Sequence, residues 1–155
     1  MEALLYNWLK AFHVLAAVTW VGGNLVLQVV ATRVIRSGNR PFAYELTRQY
    51  EFVGTRIFTP ASLLVLGLGI WMVSIGPWNF GMLWVDLGLA MFAISFVSGA
   101  FYLGPRLKVL KETADRDGLD APSVNQIIRK LFVVSRIELV LLVLIVFDMV
   151  LKPGA

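Results

Sequence analysis

Residues Leu4 to Thr32 read LLYNWLKAFHVLAAVTWVGGNLVLQVVAT, an almost uninterrupted apolar run. A helix needs about 20 such residues to cross the hydrocarbon core of a bilayer. The run is too long for the core of a signal peptide, and no A-x-A-like cleavage site precedes its basic end. The sequence therefore predicts a retained transmembrane helix.

Three more apolar segments follow: Ile57 to Ile75, Leu83 to Leu103 and Leu131 to Leu151. The chain of 155 residues is 58% hydrophobic and 15% charged, and its mean hydropathy is +0.75, whereas a soluble domain has about 25% charged residues. These features predict an all-α integral membrane four-helix bundle. We expect a single transmembrane domain, residues 1–155, with helices at about 4–32, 57–75, 83–103 and 131–151.

The basic residues predict the orientation of this bundle. Of the 14 Lys and Arg, 12 lie between the first and second or the third and fourth segments, counting the bordering Arg33, Arg56 and Arg136, and the turn at 76–82 has none. Basic residues near helix ends stay cytoplasmic. We therefore expect cytoplasmic loops at 33–56 and 104–130, both termini outside the cytoplasm, and a place in the inner or plasma membrane. Four tryptophans fall at the predicted outer boundary, as in an interfacial aromatic belt: Trp8, Trp71, Trp78 and Trp84.

Composition excludes several functional classes. The net charge is +4 and the isoelectric point about 9.7, but the basic residues flank apolar segments and form no nucleic-acid-binding face. The expected partner is therefore the lipid bilayer. The absence of cysteine excludes disulfides, and one histidine cannot build a protein-only zinc or copper site. The sequence also has no Gly-rich phosphate loop.

The two predicted loops contain local helix signals. Between Pro41 and Tyr50, apolar residues recur at a spacing of four, which predicts a short amphipathic interfacial helix. A solvated connector is the alternative. Pro122 and Ser123 can start a helix that continues into the fourth span.

A polar stripe runs along the predicted first helix. Its members follow one another at steps of three or four residues, which places them on one helix face: Lys10, His13, Ala17, Trp20, Asn24 and Gln28. We expect the stripe to point into the bundle, either as a functional surface or as a packing seam in which Asn and Gln form hydrogen bonds across helices.

Few other ionisable residues fall within the spans. The third span carries Asp86, and the fourth carries Arg136, Glu138 and Asp148. Ionisable groups in a membrane are costly and usually mark functional sites. Arg56, at the start of the second span, could pair with Glu138 or anchor the helix to the cytoplasmic surface. We expect opposite charges to neutralise one another at two levels of the membrane.

His13 is the only histidine. One imidazole suffices as an axial ligand to haem, because the porphyrin supplies four nitrogens. Lys10, Arg56 and Arg136 would then lie near the haem propionates. A single His also permits a shared site between two protomers of a homo-oligomer. The alternative is a hydrogen bond between His13 and Asp86 or Asp148.

The motif from Trp8 to Gly23, with Lys10, His13 and a downstream Trp-x-Gly-Gly, resembles the first helix of a group of small bacterial membrane proteins. The group comprises the copper-resistance D family, the haem-containing protoporphyrinogen oxidase often called HemJ, and an uncharacterised four-helix integral membrane family. Thr59-Pro60 and the segment 129–153 look like the second and last helices of the oxidase. Where the oxidase has Asn-Glu-x-Pro, this chain has residues 136–139, so the resemblance carries over only Glu138.

The resemblance implies haem b as a cofactor, with His13 as ligand to the iron, and a redox role in a membrane oxidoreductase of haem or porphyrin chemistry. The polar stripe supports a second hypothesis, transport of protons, other ions or metals along a route lined by the stripe from Lys10 to Gln28, which includes Asn24, together with Asp86 and Glu138. A third hypothesis is a non-catalytic accessory subunit, in which the buried polar groups only fix helix packing.

Overall fold

The computed structural model describes residues 2–154, and over this range it contains helices and no strand. The elements, in chain order, are α1 Glu2–Ser37, α2 Arg40–Val53, a first π-helical turn Gly54–Phe58, α3 Thr59–Ile75, α4 Leu83–Val97, a second π-helical turn Ser98–Leu103, α5 Gly104–Asp117 and α6 Pro122–Leu151. Each π-helical turn joins its neighbours without a break. The described chain therefore folds into four long helices: α1, α2–α3, α4–α5 and α6.

Within the described residues, three of these helices are long and apolar enough to cross a membrane: Ala3–Ser37, Arg40–Ile75 and Leu83–Asp117. The fourth, α6, has 30 residues. Its apolar part contains Arg136, Glu138 and Asp148, and these charges set its composition apart from the other three.

The helices extend beyond the predicted spans, because the expected loops at 33–56 and 104–130 are mostly helical. The predicted short helix at 41–50 lies within α2, whose start is fixed by Asn39: its Oδ1 accepts a hydrogen bond from the N–H of Phe42 at 3.1 Å. The predicted start of the last helix at Pro122 is confirmed. The predicted helices are too short, because hydropathy identifies only the apolar residues that lie in the hydrocarbon core. The polar residues by which a helix continues beyond the core give no such signal.

The four long helices pack in an open square. Helix α1 packs against α3 and α6, and α6 packs against α4, whereas α3 and α4 make at most marginal contact. The open edge of the square therefore lies between α3 and α4.

The two ends of the bundle differ. We call the end formed by α2, α5 and the start of α6 the basic end, because it carries most of the Lys and Arg. All four long helices meet there in one hydrophobic core, built around Ala31, Leu46, Leu110, Val124 and Leu131. The opposite end, which we call the tryptophan end, contains the 76–82 turn.

Candidate functional site

A cavity of about 300 Å³ lies inside the bundle, towards the basic end. Every long helix contributes to its walls. Aromatic rings and small polar side chains alternate in the lining, which includes Trp20, Asn24, Tyr50, Phe58, Ser62, Ser95, Phe96, Phe132, Ser135 and Glu138. A mostly apolar cavity with a few convergent polar groups has the general character of a small-molecule site.

Glu138, predicted as an ionisable residue of the fourth span, lines this cavity. The hydroxyl of Ser95 on α4, only 1% exposed, donates a hydrogen bond to Glu138 Oε1 at 3.1 Å. On the same wall, a Cβ built on Gly99 would stand 3.7 Å from that oxygen. Among the described residues, the three salt bridges are Arg40–Asp120, Arg48–Glu45 and Arg116–Asp117, so no cation pairs with Glu138.

The polar stripe of α1 reaches this cavity with its second half. Trp20, Asn24 and Gln28 are buried, which confirms the predicted inward orientation from Trp20 onward. Gln28 forms the predicted hydrogen bond across helices, from Nε2 to the hydroxyl of Ser135 on α6. The prediction is wrong for Asn24, whose Nδ2 donates to the carbonyl of Trp20 in its own helix at 2.9 Å.

Both π-helical turns also border the cavity. The lining includes Gly54, Thr55 and Phe58 from the first turn and Gly99 and Ala100 from the second. π-Helical turns within α-helices occur frequently at functional sites. These turns were not predicted from the sequence, although a proline follows each of them, at positions 60 and 105.

A second cleft, of about 490 Å³, opens between α2 and α5 at the basic end. Arg48, Arg56 and Lys111 line it together with Glu51. It shares four lining residues with the inner cavity: Thr47, Glu51, Thr55 and Leu107. The cleft therefore adjoins the cavity on the side of the basic end.

His13 lies elsewhere. Its imidazole packs against α3, where a Cβ built on Gly69 would stand 3.3 Å from Cε1 and the backbone of Val65 lies beside the ring. Asn24, at the cavity, is 11 residues further along α1, which corresponds to about 16 Å along the helix axis. His13 and Glu138 therefore belong to different sites.

The residues predicted to surround a haem at His13 are not brought together. Lys10 is one turn from His13 but exposed, and Arg136 is exposed on α6. Arg56 is also exposed and precedes Gly69, the neighbour of His13, by 13 residues, or about 20 Å along the helix. The predicted pairing of Arg56 with Glu138 is absent from the described residues, since Ser95 occupies that role.

The two aspartates of the predicted outer level also fail to reach His13. Asp86 is exposed at the start of α4, where its Oδ1 accepts a hydrogen bond from the N–H of Gly81 at 3.2 Å. Asp148 is buried against Gly88, and its Oδ2 has no hydrogen-bond partner. The predicted hydrogen bond from His13 to either aspartate is wrong, because both carboxylates lie along the α4–α6 side and His13 faces α3.

The tryptophan end is closed by an aromatic cluster. The Nε1 of Trp78 donates to the hydroxyl of Tyr6 at 3.2 Å, and the rings of Trp78 and Trp84 meet edge to face at 5.2 Å. The Nζ of Lys152 lies 3.9 Å from the centre of the Trp78 ring. This cluster joins the turn between α3 and α4 to both termini of the bundle.

Comparison with known proteins places the whole bundle in one family. A family model described as a predicted integral membrane protein, DUF2269, matches residues 7–153. No curated protein and no solved structure matches the chain.

Proposed function

We propose that this chain, which belongs to the DUF2269 family of predicted integral membrane proteins, is a membrane transport protein. In this proposal, Glu138 binds a proton or another cation inside the cavity that opens towards the basic end. The observation that carries the proposal is the Glu138 carboxylate itself, which lines this cavity with a serine hydroxyl and no positive side chain as partner.

The energetic argument concerns the charge on Glu138. Transferring a carboxylate from water into a protein interior of low polarity costs several kcal/mol unless a partner compensates. The hydroxyl of Ser95 is a neutral donor. A hydrogen bond of this kind to a charged group contributes only about 1.5–3 kcal/mol. A proton or a cationic ligand would supply the missing compensation, and intramembrane carboxylates commonly mark such pathways.

The proposed topology has four spans, with α6 as the fourth. At 30 residues, α6 is about 45 Å long and exceeds the hydrocarbon thickness of about 30 Å. It packs against α1 and α4, so Glu138 and Asp148 can face protein while the exposed Arg136 extends towards the headgroups. We propose that the basic end is cytoplasmic and that both termini lie outside, in the plasma membrane, as the positive-inside rule predicts.

Proton flux into liposomes tests the function. We expect purified protein in liposomes with a trapped pH-sensitive dye to dissipate an imposed pH gradient faster than protein-free liposomes. Glu138→Gln should reduce this flux to the protein-free level, because the amide cannot carry a proton. Asp86→Asn is the matched control, since Asp86 is exposed outside the cavity, and it should retain the flux. Equal flux in the wild type and Glu138→Gln would refute the proposal.

A haem site is a second candidate, favoured by one observation at His13. The Nδ1 atom of His13 is buried, and the ring lies beside Gly69, which has no side chain to fill the α1–α3 interface at this point. This fits a single axial ligand, but not the larger set of His13, Lys10, Arg56 and Arg136, because Arg56 and Arg136 lie towards the basic end. Bound haem would supply one-electron redox chemistry.

The haem candidate is tested by visible absorption of the purified protein in mild detergent. It predicts a Soret band, with or without added haemin, that His13→Ala abolishes and Lys10→Ala weakens. A wild-type protein without such a band after haemin is added would contradict it. The relationship to copper-resistance D and the HemJ-type oxidase stays a prediction of the sequence motif.

A further inference from the structure

The first π-helical turn changes the hydrogen bonding of the main-chain carbonyl of Thr55. The N–H of Thr59 donates to the carbonyl of Gly54, five residues earlier. In the same pattern, the N–H of residue 60 would donate to the carbonyl of Thr55, five residues earlier, but Pro60 has no N–H. The carbonyl of Thr55 therefore receives a hydrogen bond from neither residue 59 nor residue 60.

The second π-helical turn repeats the same arrangement. The N–H of Gly104 donates to the carbonyl of Gly99, and the next residue is Pro105. The carbonyl of Ala100 loses its donor in the same way. The hydroxyls near the first turn do not compensate, because Thr55 donates to the carbonyl of Glu51 and Thr59 to that of Gly54.

These two carbonyls belong to residues of one cavity. Thr55, Ala100 and Glu138 all line it. An unsatisfied carbonyl in a membrane interior costs several kcal/mol unless a neighbour, a water or a ligand donates to it. Carbonyls released at interrupted transmembrane helices are known to bind cations in transporters. The cavity lining thus includes Glu138, the exposed Glu51 and two residues, Thr55 and Ala100, whose carbonyls receive no main-chain hydrogen bond in their own π-helical turns.

We propose that the substrate is a small organic amine whose ammonium group donates to Glu138 and to the carbonyls of Thr55 and Ala100. A primary ammonium has three N–H donors, which matches these three acceptors in number. The cavity of about 300 Å³ is in the range of small-molecule pockets and is much larger than the cage around a single metal ion. Trp20, Phe58 and Phe96 would surround the apolar part and attract the positive charge through their ring faces.

This inference rests on the proposed role of Glu138 and adds the substrate class. The test uses two probes with the same apolar group, phenethylammonium and phenethyltrimethylammonium, titrated calorimetrically into the purified full-length protein in mild detergent. The second probe keeps the charge but has no N–H donor. We expect the primary amine to bind at least about tenfold more tightly, because only it can donate hydrogen bonds to the carbonyls.

A variant that returns the donors to both helices makes the test specific. Pro60→Ala combined with Pro105→Ala restores an N–H at each position, which would occupy the two carbonyls and reduce the preference for the primary amine towards onefold. Pro122→Ala is the matched control, because a proline in the first turn of a helix removes no helical hydrogen bond, and it should keep the preference. Circular dichroism of each variant verifies that the helices are retained.

The outcomes separate this inference from the proposed function. If both probes bind equally in the wild type and Glu138→Gln abolishes both, the cation-binding role of Glu138 stands and the amine-specific inference is wrong. If the primary amine is preferred but the preference survives the double proline variant, the carbonyls are not its acceptors and the inference is again wrong. If neither probe binds, the substrate class is overturned, while the proton-flux experiment decides independently on Glu138.

Discussion

The side-chain amide of Gln28 on α1 donates a hydrogen bond to the hydroxyl of Ser135 on α6, although the two residues are 107 positions apart in the chain. Both are buried, at 5% and 7% exposure. This bond joins the first helix to the last at the end of the cavity near the basic end. Among the described residues, this is the only hydrogen bond that the side chain of Gln28 makes, because its Oε1 atom has no partner.

Ser135→Ala should therefore destabilise the bundle. The substitution leaves the buried amide of Gln28 without an acceptor, at a cost of about 1–3 kcal/mol. A double-mutant cycle with Gln28→Leu, followed by thermal unfolding in detergent, should give a coupling energy of about 0.6–2 kcal/mol, as found for hydrogen bonds between transmembrane helices. Additive effects of the two substitutions would show that the bond contributes nothing.

Adjacent glycines in α1 should respond differently to the same substitution. A Cβ on Gly23 would stand 2.5 Å from the Phe58 ring, whereas a Cβ on Gly22 has no atom within 4 Å. Gly22→Ala should stabilise the protein by up to about 1 kcal/mol, the usual gain in a helix. Gly23→Ala must displace the Phe58 ring from the cavity wall and should cost about 1–3 kcal/mol. Unfolding temperatures of the pair provide the measurement, and equal shifts would contradict the packing of α1 against Phe58 of the first π-helical turn.

The end of α6 offers a prediction about Lys152. This residue is in the left-handed region, with φ at 45°, and its ammonium lies over Trp78. Lys152→Gly removes the cation–π contact but relieves the backbone, whereas Lys152→Ala removes the contact and keeps the strain. We expect the alanine variant to be less stable than the glycine variant by about 1–2 kcal/mol.

Tryptophan fluorescence of the two Lys152 variants gives a second reading. Both should show a changed emission spectrum relative to the wild type, because each removes the ammonium from the Trp78 ring. Lys130→Ala, a change at an exposed lysine of the basic end, is the control. An unchanged spectrum in both Lys152 variants would refute the contact.

The orientation can be tested with single cysteines, since the chain has none of its own. Asn79→Cys places a thiol in the turn between α3 and α4, and Asp115→Cys places one near the end of α5; both positions are exposed. A membrane-impermeant maleimide added to intact cells should label residue 79 and should label residue 115 only after the membrane is opened. The reverse pattern would place the basic end outside.

Much of the fold could be predicted from periodicity and hydropathy. The inward orientation of Trp20, Asn24 and Gln28 follows from their spacing on one helix, and the start of α6 follows from Pro122. The full lengths of the helices could not be predicted, because α2 and α5 contain too many polar residues to be recognised as apolar segments. Their stability depends on packing with other elements, for example Leu46 and Leu110 in the shared core.

The candidate site was less accessible to sequence reasoning. Glu138 was identified because a carboxylate in an apolar run is unusual, but its partner Ser95 was not, since a serine inside a transmembrane segment has many ordinary uses. The charge pairs predicted from opposite signs did not form, because Arg56 and Arg136 point to the exterior. Only three-dimensional packing reveals that two separate Gly/Pro-containing segments, around residues 54–60 and 99–105, border one cavity.

The central claim is that Glu138 binds protons and cations within the membrane, and site-specific modification by dicyclohexylcarbodiimide tests it most directly. This apolar reagent reacts with protonated carboxyl groups, and mass spectrometry locates the adduct, with Asp86 and Asp148 as internal references. We predict an adduct on Glu138 whose yield falls when phenethylammonium is present, because the cation keeps the carboxylate charged and occupied. An unmodified Glu138 would contradict the claim, whereas an adduct whose yield is the same with and without phenethylammonium would overturn only the amine substrate class.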